Sequence, residues 1–185
     1  MNFLMIDGHG DPNTAQKYQD AVEALYGVAY KLKFMSKKES GKDYVVPPLE
    51  GLWWAGDMET FTAQRDKSAW DWTMMIMQPK WITLAMVEEA VAQVGKAKGL
   101  PALSKLRSGT YLEGLAVQIM HLGSYDDEGP TIAGMHAFAL ENGYALAGKH
   151  HEIYLSDPRR VAPEKLKTVL RQPIRPGSQD ATREA

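Results

Sequence analysis

The chain repeats itself, and the repeat limits its fold more than any other feature. "MIDGHGD" begins at Met5 and "MHLGSYD" at Met120, both of the form M-x-x-G-x-x-D. Each closes an apolar run, "NFL" before the first and "LAVQI" before the second. Each leads into apolar residues at helical spacing: Tyr18, Ala21, Val22, Leu25 and Val28 in the first, Ile132, Met135, Phe138 and Ala139 in the second. Asp11 or Asn13 is expected to cap the first helix, and Asp126 or Asp127 stands near the start of the second. Strand-like segments follow: "DYVVPPLEGLWWAGD" and "WDWTMMIMQP", then "HHEIYLSD" and "KLKTVLRQPI". Both copies end on Gln-Pro, at Gln78-Pro79 and Gln172-Pro173. Two β-α-β-β units over about residues 1–80 and 110–175 predict an α+β fold, with an antiparallel sheet and helices on one side.

Between the copies, Ile82, Met86, Ala90, Val91 and Val94 form one stripe, which predicts a linking helix over about 82–98. Thr83 is placed to cap it, and Gly95 or Gly99 to end it. "RSGTYLEGLAVQIMHLG" reads as one long strand opening the second unit. One domain is expected over 1–175, with a disordered polar tail over 176–185.

Composition removes several classes. With no cysteine there is no disulfide, thiolate metal site or Cys nucleophile, which fits a cytoplasmic setting. A net charge of -2 gives no global reason to bind nucleic acid directly. The basic run "KLKFMSKKESGK" from Lys31 reads as a solvated helix end or loop. No stretch approaches the ~20 apolar residues of a membrane helix, and the start lacks the pattern of a secretory signal. There is no G-x-S-x-G, G-x-G-x-x-G or Walker loop, and "DGHGD" reads as a strand-to-helix turn.

"GKHHEIYLSDPRR", Gly148 to Arg160, concentrates the chemistry. Strand period two sends His150, Glu152 and Tyr154 one way and His151, Ile153 and Leu155 the other. Ile153 and Leu155 suit the helix-covered side, which would turn Glu152 and Tyr154 to the opposite face. Adjacent His150 and His151 cannot easily share an ion, so neither metal nor cofactor is expected. Trp53, Trp54, Trp70, Trp72, Met74 and Tyr111 load strands with aromatic and thioether surface beside Glu113 and Glu152. That mixture suits a pocket for a flat ligand, though each of these residues alone is more simply a core residue.

The segment Gly123 to Ile174 resembles the GyrI-like small-molecule-binding domain. The resemblance rests on G-x-Y with an acidic link, a helix ending in E-N-G-Y, E-I-Y-L-x-D-P and a closing strand. "MNFLMIDGHGDPN", "GLWW", "HHEIYLSDPRR" and "PEKLKT" resemble a free-standing subgroup that includes cyclopropanoid cyclopropyl hydrolases. The resemblance implies a GyrI-like, SOUL-like fold with a ligand groove between its units. It implies hydrolysis of the cyclopropane ring of DNA-alkylating natural products, with Glu152 as base and Tyr154 beside it. Tyr154 or Tyr111 would steady the developing oxyanion, and Trp53, Trp54, Trp70, Trp72, Met74, Tyr111 and Glu113 would contact substrate. The rival expectation is non-catalytic binding of a flat aromatic or cationic drug, or a protein partner in the manner of a gyrase inhibitor. Related free-standing proteins carry residues ahead of the first strand, where this chain starts abruptly, so no pocket contribution from such an extension is expected.

Overall fold

The computed structural model describes residues 1–56 and 67–177, so the polar tail from 178 onward lies outside the described residues. The chain divides into two compact units, Met1–Leu112 and Glu113–Ala185.

The first unit contains β1 (Asn2–His9), α1 (Gln16–Ser40), β2 (Leu49–Trp54), β3 (Asp71–Gln78), α2 (Leu84–Ala97) and β4 (Arg107–Thr110). Its strands run in the order β4-β1-β3-β2, every pair antiparallel. Residues opposite one another in such pairs share a face. One face carries Leu4, Ile6, Gly8, Trp53, Trp72, Met74 and Ile76, by the register Leu4↔Ile76, Ile6↔Met74, Gly8↔Trp72 and Trp53↔Trp72. Tyr18 of α1 lies against both Trp53 and Trp72, so this is the helix-covered face. The other face gathers Phe3, Met5, Leu52 and Met75, with Trp54, Met77 and Tyr111 packed against them.

The glycine of the first repeat has a packing reason. A Cβ on Gly8 would lie 2.1 Å from the Trp72 ring. Trp72 also donates its indole N–H to the Gly10 carbonyl at 3.2 Å, and Gly10 turns with φ 100. "DGHGD" is thus the seat of a buried tryptophan as well as the turn into α1. Asp11 does not cap that helix. Its carboxylate accepts from the Asn13 N–H and its carbonyl from the Ala15 N–H, shaping the turn that precedes α1. Thr83 does cap α2, accepting from the Met86 N–H.

The second unit contains β5 (Ala116–Leu122), α3 (Gly129–Glu141), β6 (Tyr144–Leu146), β7 (His150–Tyr154) and β8 (Lys167–Pro176). β8 pairs antiparallel with β5, β6 and β7. The expected long strand through Tyr111 and Gly114 is instead two strands. β4 joins the first unit's sheet beside β1, and β5 opens the second unit. Gly114 stands between them at φ 80, a left-handed conformation that extended backbone does not use.

The side covered by α3 differs chemically from the side covered by α1. His121 of β5 is bonded to Thr131 of α3, and His121 and Tyr154 are both cross-strand partners of Thr168. Glu152 sits opposite Leu170, on the same side. The helix face of this unit therefore holds His121, His150, Glu152, Tyr154, Thr168, Leu170 and Gln172. This corrects the expectation that Ile153 and Leu155 face the helix. Leu155 is 48% exposed, whereas Glu152 is buried.

Candidate functional site

Glu152 is the centre of the polar layer. It is buried on a short strand, and a buried carboxylate requires partners. Two come from its own strand, because residues two apart on a strand share a side. The Tyr154 hydroxyl donates to Glu152 Oε2 at 2.7 Å. His150 Nε2 lies 3.4 Å from Glu152 Oε1. The carboxylate is thus hydrogen-bonded at Oε2 and has an imidazole nitrogen beside Oε1. A carboxylate offers about four lone-pair sites, so acceptor capacity remains for a ligand or a water. The Tyr154 ring meets Tyr125 edge-on with centroids 5.6 Å apart, giving the carboxylate an aromatic flank. Tyr125 reaches the site from the 3-10 turn Tyr125–Asp127 ahead of α3.

Behind Glu152 the polar layer continues. His150 is fully buried, and His136 of α3 interacts with both His150 and Gln172. Burial, and then the charge of His150, hold the His136 pKa below the usual histidine range, partly offset by Gln172. Gln172 donates to the Ala147 carbonyl at 2.7 Å, which fixes its amide.

Glu113 lies elsewhere, on the other face of this sheet. His151 Nδ1 donates to Glu113 Oε1 at 2.9 Å, and Arg171 Nε donates to Glu113 Oε2 at 2.8 Å. Arg171 also bonds Gln118. Burial pushes the Glu113 pKa up, but hydrogen bonds and charge from His151 and Arg171 outweigh it and leave the pKa below the usual carboxylate value. The cluster satisfies its own charges.

The remaining residues singled out in the sequence belong to the first unit. Trp53, Trp72 and Met74 are nearly inaccessible under α1, with Trp70 edge-on to Trp53 at 5.7 Å. Trp54 and Tyr111 pack on the opposite face of that sheet, Tyr111 edge-on to Phe3 at 6.4 Å. A cavity of about 190 Å³ in this unit is lined by Trp72, Lys17, Asp20 and Lys105, among others. The structure thus brings Glu152 and Tyr154 together and sets Glu113 apart from them. Sequence reasoning put His150 on the side of Glu152 without making it a site residue, and missed His136, Tyr125 and Tyr18 as neighbours of the aromatic and acidic groups. Only His150 carried a signal, through its strand parity with Glu152. Among the described residues no three His, Asp or Glu side chains converge as a metal site, and no helix is long and apolar enough to cross a membrane.

Comparison with known proteins agrees with this architecture. An uncharacterized conserved protein from Listeria innocua is 42% identical, with a TM-score of 0.86 over 95% of this chain and 88% of that one. A hydrolase from Listeria innocua is 41% identical, with a TM-score of 0.81 over 95% of this chain and 87% of its own. The EcmrR C-terminal domain shares the fold at 9% identity, with a TM-score of 0.57 over 95% of this chain and 91% of its own. No curated protein matches. Residues 1–175 match the GyrI-like small molecule binding domain, and the chain belongs to that family.

Proposed function

We propose that this protein adds water to the strained cyclopropane ring of flat DNA-alkylating natural products, detoxifying them in the cytoplasm. The observation that carries the reading is the Glu152 carboxylate, buried yet hydrogen-bonded by Tyr154, with His150 beside it and aromatic rings on its flank. Its similarity to a hydrolase from Listeria innocua supports the same reading.

A cyclopropane conjugated to a dienone is electrophilic at its methylene carbon. Glu152 takes a proton from a water as the water oxygen bonds to that carbon. The bond between the methylene and the ring carbon breaks. Its electron pair passes through the dienone to the carbonyl oxygen, which becomes a phenolate, and the proton held by Glu152 returns to the medium. Tyr154 acts on Glu152 rather than on the phenolate, because its hydroxyl already donates to Oε2. Glu152→Gln should retain binding of an intact alkylator and lose ring opening. Ring opening by Glu152→Gln at the wild-type rate would remove Glu152 from the mechanism.

The Tyr125–Tyr154 ring pair beside a carboxylate also favours a second reading, capture of a flat organic cation without turnover. An unchanged ligand that quenches tryptophan fluorescence would select it.

A further inference from the structure

The glycine of the second repeat, like that of the first, makes room for a side chain, but for a histidine instead of a tryptophan. We infer that His121 is a positioning residue of the ligand site: its imidazole ties the turn that carries Tyr125 to α3, and so holds the aromatic flank of Glu152 in place. The inference rests on Glu152 marking the ligand site.

His121 is buried near the end of β5. Its Nε2 donates to the Ser124 carbonyl at 3.1 Å, a direction fixed because a carbonyl only accepts. Its Nδ1 is bonded to Thr131 Oγ of α3 at 3.0 Å. One ring thus reaches from the turn to the helix. A Cβ on Gly123 would lie 3.1 Å from Nε2, so the glycine gives the imidazole its room.

Bonds inside the turn set its shape. Ser124 Oγ donates to Asp127 at 2.7 Å, and the Asp127 N–H donates to the Ser124 carbonyl at 3.0 Å. Neither fixes where the turn stands against the helix, whereas the His121 bridge does. Tyr125 follows Ser124 directly, its ring meets Tyr154, and Tyr154 donates to Glu152. The architecture itself does not demand a histidine. With Met5 aligned on Met120, the matching position of the first repeat holds Ile6, a core residue.

His121→Leu removes both bonds and leaves an apolar side chain of the kind the first repeat uses. It should raise KM for a spirocyclopropane alkylator about five- to tenfold and leave kcat within about threefold, because Tyr154 keeps its own bond to Glu152. Tyr125→Ala should raise KM about tenfold, as the loss of an aromatic contact does. Since His121 acts through Tyr125, the double variant should be no worse than Tyr125→Ala within about twofold. Losses that multiply in the double variant would overturn the inference. A wild-type KM in His121→Leu, with Glu152→Gln inactive, would overturn the role of His121 and leave the site standing. If ring opening does not occur, the Kd of N-methylacridone, a flat neutral probe, replaces KM in the same comparisons. If neither Glu152→Gln nor Tyr125→Ala alters ring opening or the binding of N-methylacridone, the site reading fails.

Proton NMR reads the position of Tyr125 without a ligand. The Tyr125 and Tyr154 rings should show a mutual nuclear Overhauser contact in wild type that is lost in His121→Leu, and its persistence overturns the inference. Should His121→Leu not fold, Thr131→Val decides, because it removes only the helix end of the bridge. It should weaken that contact and raise KM at least about twofold. An unchanged contact and an unchanged KM would overturn the inference.

Discussion

Replacing Tyr154 by Phe removes one hydroxyl and little else. The ring remains against Tyr125, whose centroid lies 5.6 Å away at an interplanar angle of 78°. The lost interaction is a 2.7 Å hydrogen bond to a buried carboxylate. Such bonds to charged groups contribute about 1.5–3 kcal/mol. Expressed wholly in the transition state, that range is about 10–150-fold in rate, since each 1.36 kcal/mol is tenfold. Glu152 keeps its contact with His150, so the expected fall in kcat is in the lower part, about 10–50-fold. KM should move less than about threefold, because the aromatic flank is intact. Single-turnover ring opening, with substrate binding followed separately by tryptophan quenching, separates the two effects. A kcat within about twofold of wild type would refute the claim that Tyr154 holds the base in its working position. A raised KM at unchanged kcat would make Tyr154 a ligand contact instead.

Other consequences are accessible without a substrate. Gly8→Ala places a methyl 2.1 Å from the Trp72 ring, and the overpacking should cost about 1–3 kcal/mol in urea denaturation. An unchanged midpoint would show that Trp72 is free to move. Thr83→Ala removes the side-chain cap of α2 and should cost about 0.5–1 kcal/mol, the low end because the bond is 3.3 Å long; no loss would make the cap incidental. Glu113→Gln should destabilise the protein at neutral pH by about 1–3 kcal/mol, since Arg171 and His151 lose a charged partner. The folded-state pKa of Glu113 is depressed, so its contribution is present above its ordinary value of 4.5 and is lost as pH falls through the lower folded value. The gap between wild type and variant should close with acidification, and a gap independent of pH would contradict the ion-pair account.

Strand parity and the repeat were legible from sequence because both are periodic. His150, Glu152 and Tyr154 do share a side, as do Trp72, Met74 and Ile76. What parity could not supply was which side the helix covers. Ile153 and Leu155 look like core residues, and in a purely apolar architecture they would be. Here α3 rests on a polar layer of His121, Thr168 and Gln172, so the apolar alternation points away from it. The Glu113–His151–Arg171 cluster was invisible for another reason. Its members are separated by 38 and 58 positions, and only the register His151↔Arg171 brings them together. The break at Gly114 was a single glycine in an apolar context, and nothing in the sequence distinguished it from a glycine tolerated inside a strand. The Gly8–Trp72 contact was likewise hidden, because a glycine needed for a neighbour's volume resembles one needed for a turn.

The most direct test of the central claim is a single turnover of a spirocyclopropane alkylator with excess protein in heavy-oxygen water, read by mass spectrometry. The account predicts a ring-opened product that gains one water and carries the heavy oxygen in that first turnover, with the product lost in Glu152→Gln. Unlabelled product in the first turnover would mean that the Glu152 carboxylate itself attacked the ring. An unchanged alkylator, or an equal yield from Glu152→Gln, would contradict hydrolysis by this carboxylate.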